Sequence, residues 1–476
     1  MGALGVRRVA EELRARGFEP IELERYCASN KIWATKVKRL RLPDLLCVRT
    51  GLRAEVRAKS DLKIRMSDAP NNPDRTWDAG CRNEDVVALI ACTEGPDGPM
   101  PADGAVYFSV RALRESVAQS KLGPPKSASE GAERDRTWPA TIPSRPGKVL
   151  SVNHEKLVVM MEGDGKDPRK QTYTLNGKHA YVKAGDRFAA DITMLAGAPQ
   201  ALADLNRHLG DSYNPLDHLA AESPMDRYAA AKALRFRTDL HERAVPALER
   251  MLDTEQEIRV ALEAAGSAAV LGSGKGEERI ATVLWDKDHA EMSMEAILIL
   301  TELKTAFASD QLRRAASDAR FAGDERRQAA IWGLGKAGLK SYGDLVAFIG
   351  DNEENAAFHA IAGFGSDTPK PVIAELIAIL IEGDPRRAPA ASEALRVIDS
   401  PTVLEPLVEA TNTATGHTDW VLATIGRLSP DMVRTHLRGS ALLERLEPML
   451  LLAQGANWLA KEEVATDMAF LLKQSL

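Results

Sequence analysis

Cysteine and histidine are scarce in the front of this sequence. The four cysteines have neither a CxxC arrangement nor the spacing of a zinc site; they are Cys27, Cys47, Cys81 and Cys92. Free thiols of this kind are typical of a reducing compartment, so we expect a cytoplasmic protein. No histidine occurs before His154. This argues against His-metal nucleases, zinc hydrolases and Ser-His or Cys-His catalysis in the front part of the chain.

Long apolar runs are also missing. No run reaches the length of a membrane-spanning helix, and the first residues carry arginines and glutamates where a secretory signal needs an apolar core. We therefore expect no membrane partner. The apolar content of 44% and the charged content of 27% are those of an ordinary globular protein. A chain of 476 residues allows about two to four domains.

Charge is unevenly distributed along the chain. Residues 1–200 hold 33 Lys and Arg against 26 Asp and Glu, whereas residues 201–476 hold 29 against 42. Eleven basic and three acidic residues fall between Lys31 and Arg65. The basic front predicts a polyanionic partner, and the acidic back predicts a different one.

Residues 1–121 have the pattern of an α/β domain. The apolar stripe of residues 4–16 predicts an amphipathic helix. From Leu52 to Met66 apolar and polar residues alternate without a break, which predicts a strand or a bent strand pair with one buried face. A buried strand, a further strand and a helix are predicted next, at residues 85–94, 104–110 and 111–121.

Two shorter segments follow this front domain. Residues 122–148 are rich in Pro, Ser and Gly, which predicts a linker. Residues 149–199 alternate short strands with turns and predict a small β-barrel module. Its final part resembles a barrel-sandwich hybrid, and an SH3-like barrel is equally compatible; the residues that carry the resemblance are Val182, Gly185, Asp186 and Gly197. Because the lysine hairpin of a carrier domain is missing, the resemblance implies a structural or docking module.

The back of the chain, residues 223–476, is predicted to be an α-helical solenoid. Triplets with a small residue recur inside apolar helices at offsets of 30 to 34 residues; they occupy positions 232–234, 263–265, 295–297, 329–331, 359–361, 393–395 and 423–425. A small residue lets paired helices approach closely. The pattern resembles HEAT repeats, whereas TPR repeats would require larger aromatic residues. We expect the solenoid to bind a protein partner or a second copy of this chain.

Two short motifs in the front domain predict a metal site. They are "PD" at Pro43 and Asp44, and "EVRAK" from Glu55 to Lys59. Phosphodiester cleavage uses a metal ion to hold a water and to neutralise charge, and magnesium prefers carboxylate oxygens. Motifs and element order together resemble the PD-(D/E)xK nuclease superfamily, with a restriction-endonuclease-like fold. The resemblance implies that Asp44 and Glu55 bind Mg²⁺ or Mn²⁺, with Glu12 as a candidate third ligand.

Arg57 departs from this family pattern because it stands where the family has a lysine. Arginine stabilises negative charge but gives up a proton far less readily than lysine. Lys59 is predicted on the same face of the strand, roughly 7 Å further along. Three alternatives stay open: Arg57 has the catalytic role, Lys59 has taken it over, or the domain is inactive and only binds DNA.

A basic cluster at residues 30–42 leads into the predicted site. Its cations are predicted to contact phosphates, and Trp33 to stack on a base or sugar. A solvated basic face around a core Trp33 is an equally good interpretation. The cations are Lys31, Lys36, Lys38, Arg39 and Arg41.

Three functions are compatible with these features. The first is a metal-dependent nuclease, above all a DNA endonuclease, whose solenoid recruits a partner in genome or anti-phage defence. The second is an inactive nuclease fold that binds nucleic acid. The third is a protein-interaction solenoid whose front domain only binds a partner. Metal-dependent cleavage separates the first function from the others, and DNA binding separates the second from the third.

Overall fold

The chain forms two compact units. The structure, a computed structural model, describes residues 2–23, 40–95, 98–127, 132–162, 167–336, 340–351, 353–413 and 418–456. We call residues 1–27 and 39–244 the N-terminal unit, and residues 28–38 and 245–476 the C-terminal unit. Where described, the first is mixed α/β with several small sheets and the second is helical, which confirms a multidomain layout. None of the described helices is long and apolar enough to cross a membrane.

The N-terminal unit contains three helices and sixteen strands among the described residues. In chain order they are α1 (Gly2–Ala15), β1 (Pro20–Glu22), β2 (Leu45–Cys47), β3 (Arg53–Lys59), β4 (Arg65–Asp68), β5 (Val86–Gly95), β6 (Gly98–Pro101), β7 (Val106–Ser109), α2 (Val110–Glu115), β8 (Lys121–Pro125), β9 (Arg134–Thr137), β10 (Ala140–Thr141), β11 (Gly147–Val152), β12 (Lys156–Met161), β13 (Arg169–Thr174), β14 (His179–Ala180), β15 (Arg187–Phe188), β16 (Ala196–Gly197) and α3 (Pro224–Leu234).

The central sheet has six strands in the order β1-β2-β3-β5-β6, with β7 also paired to β5. β3 and β5 are parallel, and the other neighbours are antiparallel. Successive side chains of β3 point to opposite faces. Ala54 and Val56 pack against Val9 and Leu13 of α1, so α1 covers one face of this sheet.

A second sheet, in the order β4-β9-β8, contributes to the core on the other face. The predicted linker at residues 122–148 differs from this structure, because β9 pairs with β4 and Trp138 is buried. Composition predicted a linker because β8 carries glycine and proline, but an edge strand tolerates proline. The alternation from Leu52 to Met66 is likewise divided between β3 and β4, which belong to different sheets.

The β module is built from two small sheets that share a core. One has the order β13-β12-β11-β15 and the other the order β10-β16-β14. The strands of the described segments form no closed barrel, so the predicted barrel is not what the structure shows. The module begins earlier than residue 149, because Ala140 and Thr141 pair with β16. Two hairpin-linked sheets produce the same alternation of short strands and turns as a barrel does.

The C-terminal unit is an array of helices. Alternate helices α5, α7, α9, α11, α13, α15 and α17 pack on one another in succession, and the intervening helices pack beside them. The ranges, beginning with α4 at the boundary between the units, are α4 (His241–Thr254), α5 (Ile258–Val270), α6 (Gly274–Leu284), α7 (Ala290–Glu302), α8 (Ala306–Ser317), α9 (Glu325–Lys336), α10 (Tyr342–Ile349), α11 (Glu354–Ile361), α12 (Lys370–Glu382), α13 (Arg387–Ile398), α14 (Pro401–Thr413), α15 (Thr418–Ile425), α16 (Pro430–His436) and α17 (Ala441–Ala456).

Small residues lie where these helices meet. The alanines of six of the seven recurring triplets are fully buried, as at Ala264, Ala296 and Ala330, and Ala423 of the last triplet is partly buried. Gly335 of α9 lies so close to Gly363 that a Cβ on Gly335 would be 2.4 Å from the Cα of Gly363. The helix spacing therefore depends on these small side chains.

The first triplet, residues 232–234, differs from the other six. It lies in α3, which belongs to the N-terminal unit. Ala229 and Ala233 pack in a cluster with Leu23 and Val48, and the Lys232 ammonium donates to the carbonyl of Leu23 at 3.1 Å. The predicted solenoid boundary at residue 223 is therefore too early, because a local helix pattern does not reveal which core the helix joins.

Candidate functional site

The hairpin of β2 and β3 brings Asp44 to β3. The strand pairing ends at Leu45, the register partner of Ala54, and Asp44 lies in the bend just before β2. The amide of Val56 donates to Oδ2 of Asp44 at 2.6 Å, which fixes the Asp44 carboxylate against β3. Asp44 is thus held beside the residue that follows Glu55.

Glu55, Arg57 and Lys59 share one face of β3. Their register partners on β5 belong to the core that lies away from α1; these partners are Val87, Leu89 and Ala91. The Glu55 side chain is 14% exposed, and the Arg57 side chain is 35% exposed. The face therefore carries one largely buried carboxylate followed by two cations at intervals of two residues.

Arg57 forms an ion pair with Glu55. Its Nη2 atom lies 2.7 Å from Oε1 of Glu55. A charge-assisted hydrogen bond of this kind is stronger than a neutral one, and it competes with any cation that approaches the carboxylate. The structure therefore shows Arg57 partnered to the predicted metal ligand.

Lys59 lies next to other cations. Burial lowers the pKa of Lys59, and the nearby charges of Arg65 and Arg57 lower it further, while Asp135 acts in the opposite direction. A lysine with a lowered pKa gives up its proton more readily at neutral pH. Of the two basic residues considered from the sequence, Lys59 therefore has the chemistry of a proton acceptor, and Arg57 has not.

Glu12 is not brought to the Glu55 carboxylate. It lies on α1, which covers the opposite face of the central sheet. Its Oε1 atom is 2.7 Å from Nη2 of Arg16, and its Oε2 atom accepts from the amide of Ala105 at 3.1 Å. These contacts hold the Glu12 carboxylate beside β7.

Of the three predicted ligands, Asp44 and Glu55 are the two that lie on the β2–β3 hairpin. Within the described ranges, no group of three or more His, Cys, Asp or Glu side chains is placed to hold a metal ion. Magnesium is often bound by one or two carboxylates together with waters and substrate phosphates. The pair is compatible with an ion of that kind, and less so with a metal that needs a full set of protein ligands.

Buried ion pairs hold β3 in place immediately before the site. Arg53, which the alternation placed on a polar face, is 2% exposed and lies 2.6 Å from Asp85 and 2.9 Å from Asp226. Asp85 also accepts from the amide of Arg82 at 2.6 Å. Periodicity could not identify these contacts, because Asp226 is far away in sequence.

The loop at residues 75–85 packs beside the two carboxylates. Burial raises the pKa of Cys81 to about 12, and the charges of Glu55 and Asp85 contribute. The Cys81 thiol is therefore protonated and unreactive at neutral pH. Gly80 has φ +77, and a Cβ there would lie 1.8 Å from the carbonyl oxygen of Arg41, so the loop requires glycine at this contact.

Of the predicted basic cluster, the structure describes only the last cation, Arg41. Arg41 is exposed, and the remaining members lie outside the described residues: Lys31, Trp33, Lys36, Lys38 and Arg39. The sequence interpretation missed a second group of cations near Lys59, because it treated residues 122–148 as a linker. Arg65 contacts Asp61 at 3.2 Å, and Lys126 contacts Glu133 and Asp135 at 2.8 and 3.0 Å.

Comparisons with known proteins do not assign a family. No family model matches the chain, and no curated protein is similar to it. Two crystal structures of engineered proteins are similar to part of it. The first has 16% identity, covers 53% of this chain and 86% of its own, and has a TM-score of 0.23. The second has 14% identity, coverage of 55% and 96%, and a TM-score of 0.16. Similarities with such low TM-scores support no conclusion about the fold or function of this chain.

Proposed function

We propose that the N-terminal unit is a metal-dependent nuclease domain of the PD-(D/E)xK kind, with DNA as its substrate. The observation that supports the proposal most is the hydrogen bond that the Asp44 carboxylate accepts from the amide of Val56, the residue after Glu55. The hairpin is followed by β5, which is parallel to β3. A role in genome or anti-phage defence stays a prediction.

Each residue of the site has a defined part in this proposal. Asp44 and Glu55 would hold Mg²⁺ or Mn²⁺, which when bound supplies charge neutralisation at the phosphodiester and a polarised water. Lys59 orients the attacking water and accepts its proton, as its lowered pKa favours. Arg57, which lies between Glu55 and Lys59 on β3, stabilises the negative charge that develops on the phosphoryl oxygens.

A cleavage assay tests this assignment. Plasmid, linear duplex, single-stranded DNA and RNA are incubated with the protein and Mg²⁺ or Mn²⁺. Asp44→Asn and Glu55→Gln should each lower the rate at least about a hundredfold, and the exposed control Glu84→Gln should cut like the wild type. Equal cleavage by the wild type and both site variants would refute the proposal.

The second candidate is a nucleic-acid-binding domain that does not cut. The ion pair between Arg57 and Glu55 favours it, because the arginine occupies the carboxylate without a metal. The effect of Glu55→Gln on DNA binding and on DNA cleavage separates the two functions. In a binding domain the substitution removes a negative charge near the phosphates and strengthens DNA binding, whereas in a nuclease it removes cleavage.

We further propose that the C-terminal unit is a HEAT-like array that binds a protein partner or a second copy of this chain. Several arginines that could have formed a basic strip are paired with acids. Arg313 contacts Asp344 at 2.9 Å, and Arg326 contacts Asp324 at 2.8 Å. Arg327 contacts Asp351 at 2.6 Å. Acidic residues neutralise these arginines, and residues 201–476 carry an acidic excess. Both features favour a protein partner over DNA.

A further inference from the structure

A cleft of about 890 Å³ opens in the N-terminal unit, away from Asp44 and Glu55. α1 and β7 supply one wall through Arg16 and Tyr107, and residues 177–182 of the β module supply another. Its volume lies within the ~300–1,000 Å³ range of small-molecule sites. All lining residues belong to one compact unit.

The lining of the cleft is cationic above an apolar floor. Arg16, Lys178, His154 and His179 contribute its titratable side chains, and the described lining includes no Asp or Glu. The floor is apolar and includes Val106, Leu175, Val182, Ile192, Met194 and Leu202. This combination attracts a negatively charged group and accepts an apolar body.

Tyr107 is part of the wall that α1 and β7 supply. The residue is 5% exposed. Burial raises the pKa of Tyr107, and the charge of Glu12 and a hydrogen bond with the Glu12 carboxylate add to the effect. The hydroxyl is therefore a neutral donor with an acceptor inside the unit, and the anionic group of a ligand is left to Arg16 and Lys178.

Four contacts hold the walls in position. Glu12 binds Arg16 at 2.7 Å, and the Arg16 guanidinium lies 5.9 Å from the centroid of the Tyr107 ring. Lys178 donates to Oγ1 of Thr141 at 2.7 Å. The Tyr181 hydroxyl donates to the carbonyl of Pro199 at 2.5 Å. The cationic groups are thus fixed before any ligand arrives, which reduces the entropy lost on binding.

We propose that this cleft binds an organic anion with an apolar or aromatic body. Arg16 and Lys178 hold the anionic group, and the apolar floor contacts the body. A mononucleotide and a medium-chain fatty acid both have this chemistry. The site does not depend on the proposed nuclease function.

Calorimetric titration of the full-length protein tests the proposal. AMP and decanoate are the two probes, and adenosine and decanol are their uncharged counterparts. At least one anion should bind with a Kd below about 1 mM, and its uncharged counterpart should bind about tenfold more weakly or not at all. The cleft is refuted as an anion site if neither anion binds, or if the uncharged molecules bind equally well.

Substitutions locate the binding. Lys178→Gln and Arg16→Gln should each weaken the anion about tenfold, and the exposed control Lys170→Gln on β13 should not. Wild-type affinity in Lys178→Gln would overturn the assignment, even if Arg16→Gln fails to fold.

Discussion

Two ion pairs, one in each unit, show opposite uses of charge. In the N-terminal unit, Arg53 and Asp85 form an ion pair whose side chains are 2% and 1% exposed. In the C-terminal unit, Arg320 and Asp318 form a pair whose side chains are 47% and 26% exposed. A buried pair that loses one partner leaves a desolvated charge, whereas the remaining partner of an exposed pair is solvated by water. The Arg53 pair therefore helps to determine the structure around β3, whereas the Arg320 pair contributes little to its unit.

Truncation should show the largest difference between the units. A fragment that ends at Leu240 keeps α3 and should fold cooperatively. A fragment that ends at residue 200 loses Asp226 and the apolar side of α3, so Arg53 loses an ion-pair partner and Leu23 becomes exposed. We expect the shorter fragment to lack a cooperative thermal transition by circular dichroism. The longer fragment should bind DNA nearly as tightly as the full chain.

Removal of one acid should separate buried from exposed ion pairs. Asp85→Ala should reduce the free energy of unfolding of the N-terminal unit by about 3–5 kcal/mol, because Arg53 stays buried after the acid that pairs with it is removed. The matched change Asp318→Ala in the exposed pair should have a much smaller effect, because water replaces the lost contact. Chemical denaturation of both variants gives the comparison, and similar effects would contradict the difference between the buried and the exposed pair.

A methyl group should have opposite effects at two glycines of the C-terminal unit. Gly335→Ala should destabilise the array by about 1–3 kcal/mol, because the new Cβ meets the Gly363 backbone. Gly343→Ala in α10 should stabilise it by up to about 1 kcal/mol, because no atom lies within 4 Å of the new Cβ. Differential scanning calorimetry measures both changes. Equal effects would show that helix spacing does not depend on these small residues.

A further prediction concerns the pH dependence of stability. Burial lowers the pKa of His359 to about 4, with Glu325 acting in the opposite direction. The folded state therefore binds this proton less readily than the unfolded state. The stability of the folded state that depends on a neutral His359 is therefore complete above about pH 6.5, and it is lost as the pH falls towards 4. Between pH 7 and pH 5 the wild type should lose about 1–2 kcal/mol more stability than His359→Gln.

The sequence predicted local features of the fold better than distant ones. The helix at residues 4–16, the strand at residues 85–94 and the recurring helices follow from periodicity, because each pattern is set by neighbouring residues. Arg53 was misplaced because its partners, Asp85 and Asp226, lie far away along the chain. Trp138 was overlooked because one buried aromatic residue in a proline-rich segment does not change its average composition.

The candidate site was predictable in part. The motif spacing predicted Asp44 and Glu55, and the structure bonds the Asp44 carboxylate to the amide of Val56, the residue after Glu55. The ion pair of Arg57 with Glu55 and the cationic surroundings of Lys59 depend on side-chain packing. The second group of cations, around Lys126, lies on a hairpin that composition had suggested was a linker.

Binding of Mn²⁺, followed by electron paramagnetic resonance, tests the central claim most directly. If Asp44 and Glu55 form the metal site, Asp44→Asn should weaken Mn²⁺ binding about tenfold or more. Arg57→Gln should strengthen it, because the competing cation at Glu55 is removed. The exposed control Glu84→Gln should bind like the wild type. Unchanged Mn²⁺ affinity in both Asp44→Asn and Arg57→Gln would contradict the assignment of these carboxylates as a metal site.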